Sequence, residues 1–346
     1  MKKYLHFDLI RILKENTDRN HPMLQKDLLS ELRKRDEKIN RTTVWNALND
    51  LIEHSLETRV HHLGEESEAE ETTDKRQYYT NLYYDQEFTE AELRWLIDGI
   101  LYSRNVPHAE RDIIIGKLCE LGNKHFQKHM NMKKIRRLSE DEPMNEYLFD
   151  NINVINQAVE EGKKITAVYN YMGTDYRLHP VYGDPDYHQL LNPYAMVIRN
   201  GFYFLICNKD NYDDLTHYRI DRMTDVQIDS RTMKSVRELK GFHGGLDIQE
   251  YMEHNINMAF GEPALITFIA KRNAIPDIID TFGKGVSFSP GHDGHYNCTV
   301  RIPLYDMERW AMQSWDKIIV TSPPELVQTL AENFRDGMEN YTKVLF

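Results

Sequence analysis

LLNPYAMVIRNGFYFLICN, residues 190–208, is the stretch on which the fold of this chain turns. Two apolar runs flank the dipeptide Asn200-Gly201. Both positions of a tight two-residue turn need positive φ, which asparagine and glycine tolerate best, so the stretch predicts a β-hairpin. Short runs of period two surround it: ITAVYNY (165–171), YRLHPVYG (176–183), and THYRI (216–220) leading into DRMTDVQI (221–228). A helix carrying Leu148, Ile152, Ile155 and Val159 at helical spacing precedes them and ends at Gly162. A helix followed by closely spaced short strands predicts a small β-barrel-like unit.

Toward the C-terminus the order changes. ALITFIA (264–270) reads as a strand and NAIPDIIDTF (273–282) as a helix, followed by a hairpin of VSFSP and HYNCTVRIP across Gly291 to Gly294. YDMERWAMQSW (305–315) is a helix, KIIVTS (317–322) a strand, and a last helix starts at Ser322-Pro323-Pro324-Glu325, with Ser322 as cap and Glu325 reaching back. This β-α-β-β-α-β order is the split ferredoxin-like arrangement plus one helix.

Toward the N-terminus three helices and a hairpin are expected. Leu5, Leu9 and Ile12 share one helical face. Pro22, in a first helical turn, opens a second helix striped by Leu24, Leu28 and Leu32. A third runs from about Asn40 to Ser55, with Val44, Leu48, Leu51 and Ile52 inward and Thr42, Asn46, Asn49 and Glu53 outward. Two strand-like runs, LETRVHH (56–62) and QYYTNLYY (77–84), enclose the acidic stretch GEESEAEETTDKR. Residues 88 to about 130 read as two connecting helices, the first opened by a capping box at Thr89 and Glu92, and 131–143 as a polar linker.

Composition narrows the class. With 346 residues, 40% hydrophobic and 28% charged, the chain suits several globular units. No uncharged run approaches the roughly 18 apolar residues that cross a bilayer. Asp8 and Arg11 interrupt any signal-peptide core, so no membrane role and a cytoplasmic location are expected. Cys119, Cys207 and Cys298 lack metal-ligand spacing and read as small buried hydrophobes, with no metal or other cofactor implied. The net charge of −12 is uneven: residues 1–62 hold 12 Lys/Arg against 10 Asp/Glu, leaving 31 against 45 for the rest. A mildly basic head on an acidic body suits DNA binding confined to the head.

The third helix is the candidate recognition helix. Asn46 and Asn49 carry the amide that pairs with adenine, Arg41 suits guanine or phosphate, and Thr42 and Thr43 suit phosphate or a thymine methyl, with Trp45 on the flank. Arg59, Lys75 and Arg76 flank the wing, where strand-borne cations approach the duplex backbone. Six carboxylates at the wing tip, Glu65 through Asp74, favour a solvated loop there.

The segment from about 145 to 230 resembles the WYL domain family. The resemblance lies in INQAVEEGKKITAVYNY (155–171), NPYAMVIRNGFYFLIC (192–207) and HYRIDRM (217–223). The name-giving Trp-Tyr-Leu stands here as Phe202-Tyr203-Phe204. The tail resembles the extension that often follows such domains, and the head resembles the winged helix that precedes them. The resemblance implies an α+β multidomain chain. Its modules would be a winged helix-turn-helix (1–84), a helical connector (85–143), a small Sm/SH3-like β-barrel WYL domain (144–232) and a ferredoxin-like dimerisation module (260–346). It implies a homodimeric transcription regulator whose WYL domain senses a ligand, in some members a nucleotide or single-stranded nucleic acid. Tyr171, His179, Tyr194, Tyr203, Tyr218, Arg219 and Arg222 are candidates for one such site. Guanidinium binds phosphate through paired hydrogen bonds, and tyrosine rings offer faces for bases. Asp221 is the expected internal partner of one arginine.

No enzyme is expected, since the sequence holds no phosphate-binding glycine loop, HExxH or GxSxG. His292-Asp293-Gly294-His295 has turn composition. Two rival classes remain: a nucleic-acid-processing enzyme, which needs turnover with divalent ions, and a protein-interaction adaptor, which shows no salt-dependent DNA binding.

Overall fold

The computed structural model describes residues 4–35, 37–63, 79–103, 105–130, 145–258 and 261–345. The chain is a mixed α+β protein of two compact units, Met1–Glu142 and Pro143–Phe346.

In the first unit α1 (Leu5–Asn16), α2 (Gln25–Arg33) and α3 (Arg41–Glu53) bury one leucine-rich core. Leu9, Leu13, Leu28 and Leu48 are fully buried, each worth about 1.5–3 kcal/mol of transfer free energy. Pro22 precedes α2 and does not open it. Met23 is extended instead, and its amide and carbonyl exchange hydrogen bonds with Leu82 at 2.7 and 2.8 Å. The predicted strand 56–62 is also shorter. Ser55–Thr58 form a helical turn, α4, because the Thr58 hydroxyl donates to the Leu51 carbonyl at 2.6 Å and holds the chain against α3. β1 (Val60–His62) then pairs antiparallel with β2 (Leu82–Tyr84), so the second predicted strand narrows to its last three residues. Three connecting helices follow where two were expected: α5 (Glu90–Leu101), opened by the Thr89–Glu92 capping box, α6 (His108–Glu120) and α7 (Lys124–His129). Asn123 breaks the third from the second by capping α7, its side chain accepting from the Phe126 amide at 3.0 Å. The acidic wing tip and the 131–143 linker lie outside the described residues.

In the second unit α8 (Leu148–Glu161) ends on Gly162 at φ 65°, where a side chain would be strained. It packs over a sheet of β3 (Lys163–Met172), β4 (Leu178–Pro180), β5 (Gln189–Arg199), β6 (Phe202–Lys209), β7 (Leu215–Arg219) and β8 (Met223–Thr232). The strand order is β4-β3-β5-β6-β7, with β8 pairing the other edge of β3. Asn200 and Gly201 take φ 51° and 77°, and Arg199 faces Phe202 across the turn, as the dipeptide predicts. A short helix absent from the sequence reading, α9 (Ile248–His254), follows.

The C-terminal elements are β9 (Pro263–Ala270), α10 (Ile275–Phe282), β10 (Val286–Pro290), β11 (Tyr296–Pro303), α11 (Leu304–Gln313), β12 (Ile318–Ser322) and α12 (Pro324–Leu345). Their order is the expected β-α-β-β-α-β, and the sheet runs β10-β11-β9-β12. Alternation sends Ile266, Phe268, Val300, Ile302 and Val320 into a core under the helices. Ser322 is the last residue of β12 rather than part of the helix start.

Candidate nucleic-acid and ligand sites

α3 starts where Asn40, in an extended conformation, accepts from the Thr43 amide and hydroxyl, both at 2.8 Å. That cap, typically worth about 1 kcal/mol, commits the Thr43 hydroxyl. Arg41, Thr42 and Asn46 are exposed, and the first turn of α3 contains no acidic residue. A helix N-terminus without carboxylates carries the positive end of the macrodipole outward, which favours phosphate. The opposite end differs: Asp50 meets His6 at 3.2 Å, and Glu53 is exposed. Trp45 and Asn49 are half-buried, and the Trp45 Nε1 and Asn49 Oδ1 atoms are buried without a hydrogen-bond partner. Both point partly into the protein and are less accessible to a ligand than Asn46. Arg59, at φ 59°, donates to the Gln86 carbonyl at 3.1 Å and lies 3.6 Å from Asp85, so it ties the start of β1 to the segment after β2. Lys75 and Arg76 lie outside the described residues.

The WYL-region candidates do not converge as one group. Arg219 ends β7 and its guanidinium grips Asp221 through Nε at 3.0 Å and Nη2 at 2.6 Å. It also stacks on Phe202, 3.5 Å from the ring centroid. Of five guanidinium donors this leaves three for a ligand. Arg222 closes the single 3-10 turn Ile220–Arg222, and its Nε is buried with no hydrogen-bond partner. An unsatisfied buried donor costs about 1–3 kcal/mol, which an acceptor oxygen reaching it would recover. Arg222 is therefore the stronger candidate of the two for an anion.

Tyr218 is buried beside these arginines, donating its hydroxyl to Gln189 Oε1 at 2.5 Å, and burial pushes its pKa up to about 12. Its ring lies 4.3 Å from that of Tyr169, whose hydroxyl accepts from the Arg219 amide at 3.4 Å. Burial also raises the Tyr169 pKa, so both rings remain neutral phenols. Tyr171 alternates to the same strand face as Tyr169, about 7 Å along β3, and stacks on His179 with centroids 5.6 Å apart. His179 in turn meets Asp175 at 3.0 Å.

Two candidates fall elsewhere. Tyr194 donates to the Lys234 carbonyl at 3.0 Å. Tyr203 packs against the core beneath α8, so the face expected to open on a groove is a packed one. Three residues missed in the sequence, Tyr169, Gln189 and Lys209, join the arginine end instead. The Lys209 ammonium sits 5.9 Å from the Tyr218 ring centroid. Only Tyr169 carried a signal, as the polar-capable residue on the inward phase of β3.

Two open clefts elsewhere in this unit suit an anion less well. One of about 800 Å³ mixes Arg199 and Lys284 with Glu253 and Asp280. The other, of about 860 Å³, mixes Lys240 and Arg301 with Asp214, Asp247, Glu250 and Glu262.

Residues 150–228 match the model of the WYL domain family, so the chain contains a WYL domain over α8, the β3–β7 strands and the arginine turn. Two solved structures are similar to the chain. A protein described as CRISPR Cas-related shares 12% identity at a TM-score of 0.40, covering 99% of this chain and 85% of that one. Proteasome accessory factor B/C (PafBC) of Arthrobacter aurescens shares 13% identity at a TM-score of 0.29, covering 94% of this chain and 47% of that one. A comparison with curated proteins gives no match. Among the described residues no helix is long and apolar enough to cross a membrane.

Proposed function

We propose that this protein is a cytoplasmic, homodimeric transcription regulator that binds promoter DNA through a winged helix-turn-helix. In this reading its Sm/SH3-like WYL barrel senses a nucleotide or single-stranded nucleic acid, and no step is catalytic. The observation that carries the DNA-binding half is the capped first turn of α3, which itself contains no acidic residue and exposes Arg41 and Thr42. The β1–β2 ladder beside it supports a wing. The sensing half rests on Arg222, whose buried Nε lacks an acceptor. The ferredoxin-like tail would pair two copies, and the exposed Phe334, Met338 and Tyr341 along α12 support that role.

Protection mapping of the DNA upstream of its own gene tests the reading. Palindromic half-sites and binding that weakens steeply with salt are expected, with Arg41→Glu weakening it further. Absence of any salt-sensitive protection would overturn the DNA-binding claim. The ligand must bind the DNA-competent and incompetent forms unequally. Unchanged operator affinity at saturating oligonucleotide would therefore remove the sensing claim alone.

A further inference from the structure

We propose that the tyrosines around Lys209 form a base-stacking subsite. It would extend the arginine site into a track for several nucleotides of single-stranded nucleic acid. This rests on the sensor reading above. Lys209 is the last residue of β6, and its ammonium donates to the Tyr182 hydroxyl at 3.3 Å. The same ammonium lies 5.8 Å from the Tyr212 centroid and 5.9 Å from that of Tyr218. Tyr182 meets Tyr187 edge to face at 4.9 Å. In the other direction Tyr218 contacts Tyr169, which holds the Arg219 amide. One unbroken run of ring and cation contacts therefore leads from the arginine turn to the loop between β4 and β5.

Tyr182, Tyr187 and Tyr212 are 54%, 50% and 60% exposed. A single exposed tyrosine is unremarkable on a protein surface. Two beside one lysine, with the third packed on one of them at the end of a buried tyrosine pair, offer ring faces to a ligand that itself has rings. The loop also carries Asp184 and Asp186. These carboxylates disfavour phosphate at this end, so the ligand presents bases here and phosphates toward Arg222. Duplex bases have no free faces, which selects a single strand.

The test uses the full-length protein and deoxythymidylate oligomers of one, four and eight nucleotides, read by fluorescence anisotropy across a salt series. Wild type should bind longer oligomers more tightly. Tyr182→Ala with Tyr187→Ala should weaken the eight-mer roughly tenfold or more and leave the salt slope and the mononucleotide unchanged. Tyr182→Phe, which keeps the ring and loses the hydroxyl, should retain most of that affinity. Arg222→Ala should weaken every length and flatten the slope. If the double variant binds the eight-mer as wild type does while Arg222→Ala loses binding, the stacking subsite is wrong and the sensor stands. Equal wild-type affinity for one and eight nucleotides also overturns the track. If wild type binds no oligomer, this inference and the sensor reading both fall.

Discussion

The β5–β6 hairpin has two unlike ends. At the tip, Arg199 donates through Nε to the Ile256 carbonyl at 2.7 Å, and the Asn200 side chain meets Asn257 at 3.2 Å. Burial lowers the Arg199 pKa, and Asp306, buried nearby, has its own raised by desolvation. At the other end burial alone would lower the Lys209 pKa, yet hydrogen bonding with the Tyr218 and Tyr182 hydroxyls lifts it. The tip's polar groups are committed to the segment that leads into β9. The Lys209 end keeps ring faces open to solvent. One strand pair is thus an anchor at one end and an accessible surface at the other. A ligand at the open end would act on strands whose far end is held.

The largest expected effect is at the anchor. Arg199→Ala removes the guanidinium that holds the Ile256 carbonyl. A hydrogen bond from a charged group is worth about 1.5–3 kcal/mol. Urea unfolding should show a loss of that size. A cost below about 0.5 kcal/mol, the scale of an exposed pair, would mean that the tip is no anchor.

The next effect depends on pH. His217 on β7 faces the same anchored seam. A carbonyl only accepts, so its Nδ1 donates to Met258 at 3.2 Å, while Nε2 accepts from the Tyr251 hydroxyl at 2.7 Å. Burial depresses its pKa to about 4 from 6.5. The unfolded chain therefore takes up the proton first. Stability falls as pH drops through 6.5 and levels off below about 4, by up to about 3 kcal/mol. His217→Gln should flatten that part of the urea-midpoint profile. A profile unchanged by the substitution would show that the seam does not bury this imidazole.

How far the sequence reveals these ends follows from how local each one is. The tip was legible, because Asn200-Gly201 dictates its own turn and the turn fixes the register. Gly162 and the Thr89–Glu92 box were legible for the same reason, each being complete within a few residues. The open end was not, since Tyr169, Tyr182, Tyr187, Lys209, Tyr212 and Tyr218 come from four separate segments brought together only by strand pairing. Tyr194 was misplaced for a further reason. The β5–β6 register shifts between Pro193 and Ala195, and such a shift defeats simple alternation counting. On α3 the exposed Thr42 and Asn46 followed from helical period, whereas the buried atoms of Trp45 and Asn49 did not. Both lie on the flank, where neighbouring elements decide exposure.

The smallest expected effect on stability is at the open end. Lys209→Met deletes an ammonium whose partners are the Tyr182 and Tyr218 hydroxyls and the Tyr212 and Tyr218 ring faces, and it keeps an unbranched apolar side chain of similar length. The urea midpoint should move by no more than about 0.5 kcal/mol equivalent. The same variant should lose affinity for a thymidylate eight-mer with little change in its salt slope, since bases and not phosphates meet this end. Little change in folding with a clear change in binding separates the open end from the anchor. A destabilisation as large as that of Arg199→Ala would make Lys209 a structural group, and the contrast between the two ends would vanish.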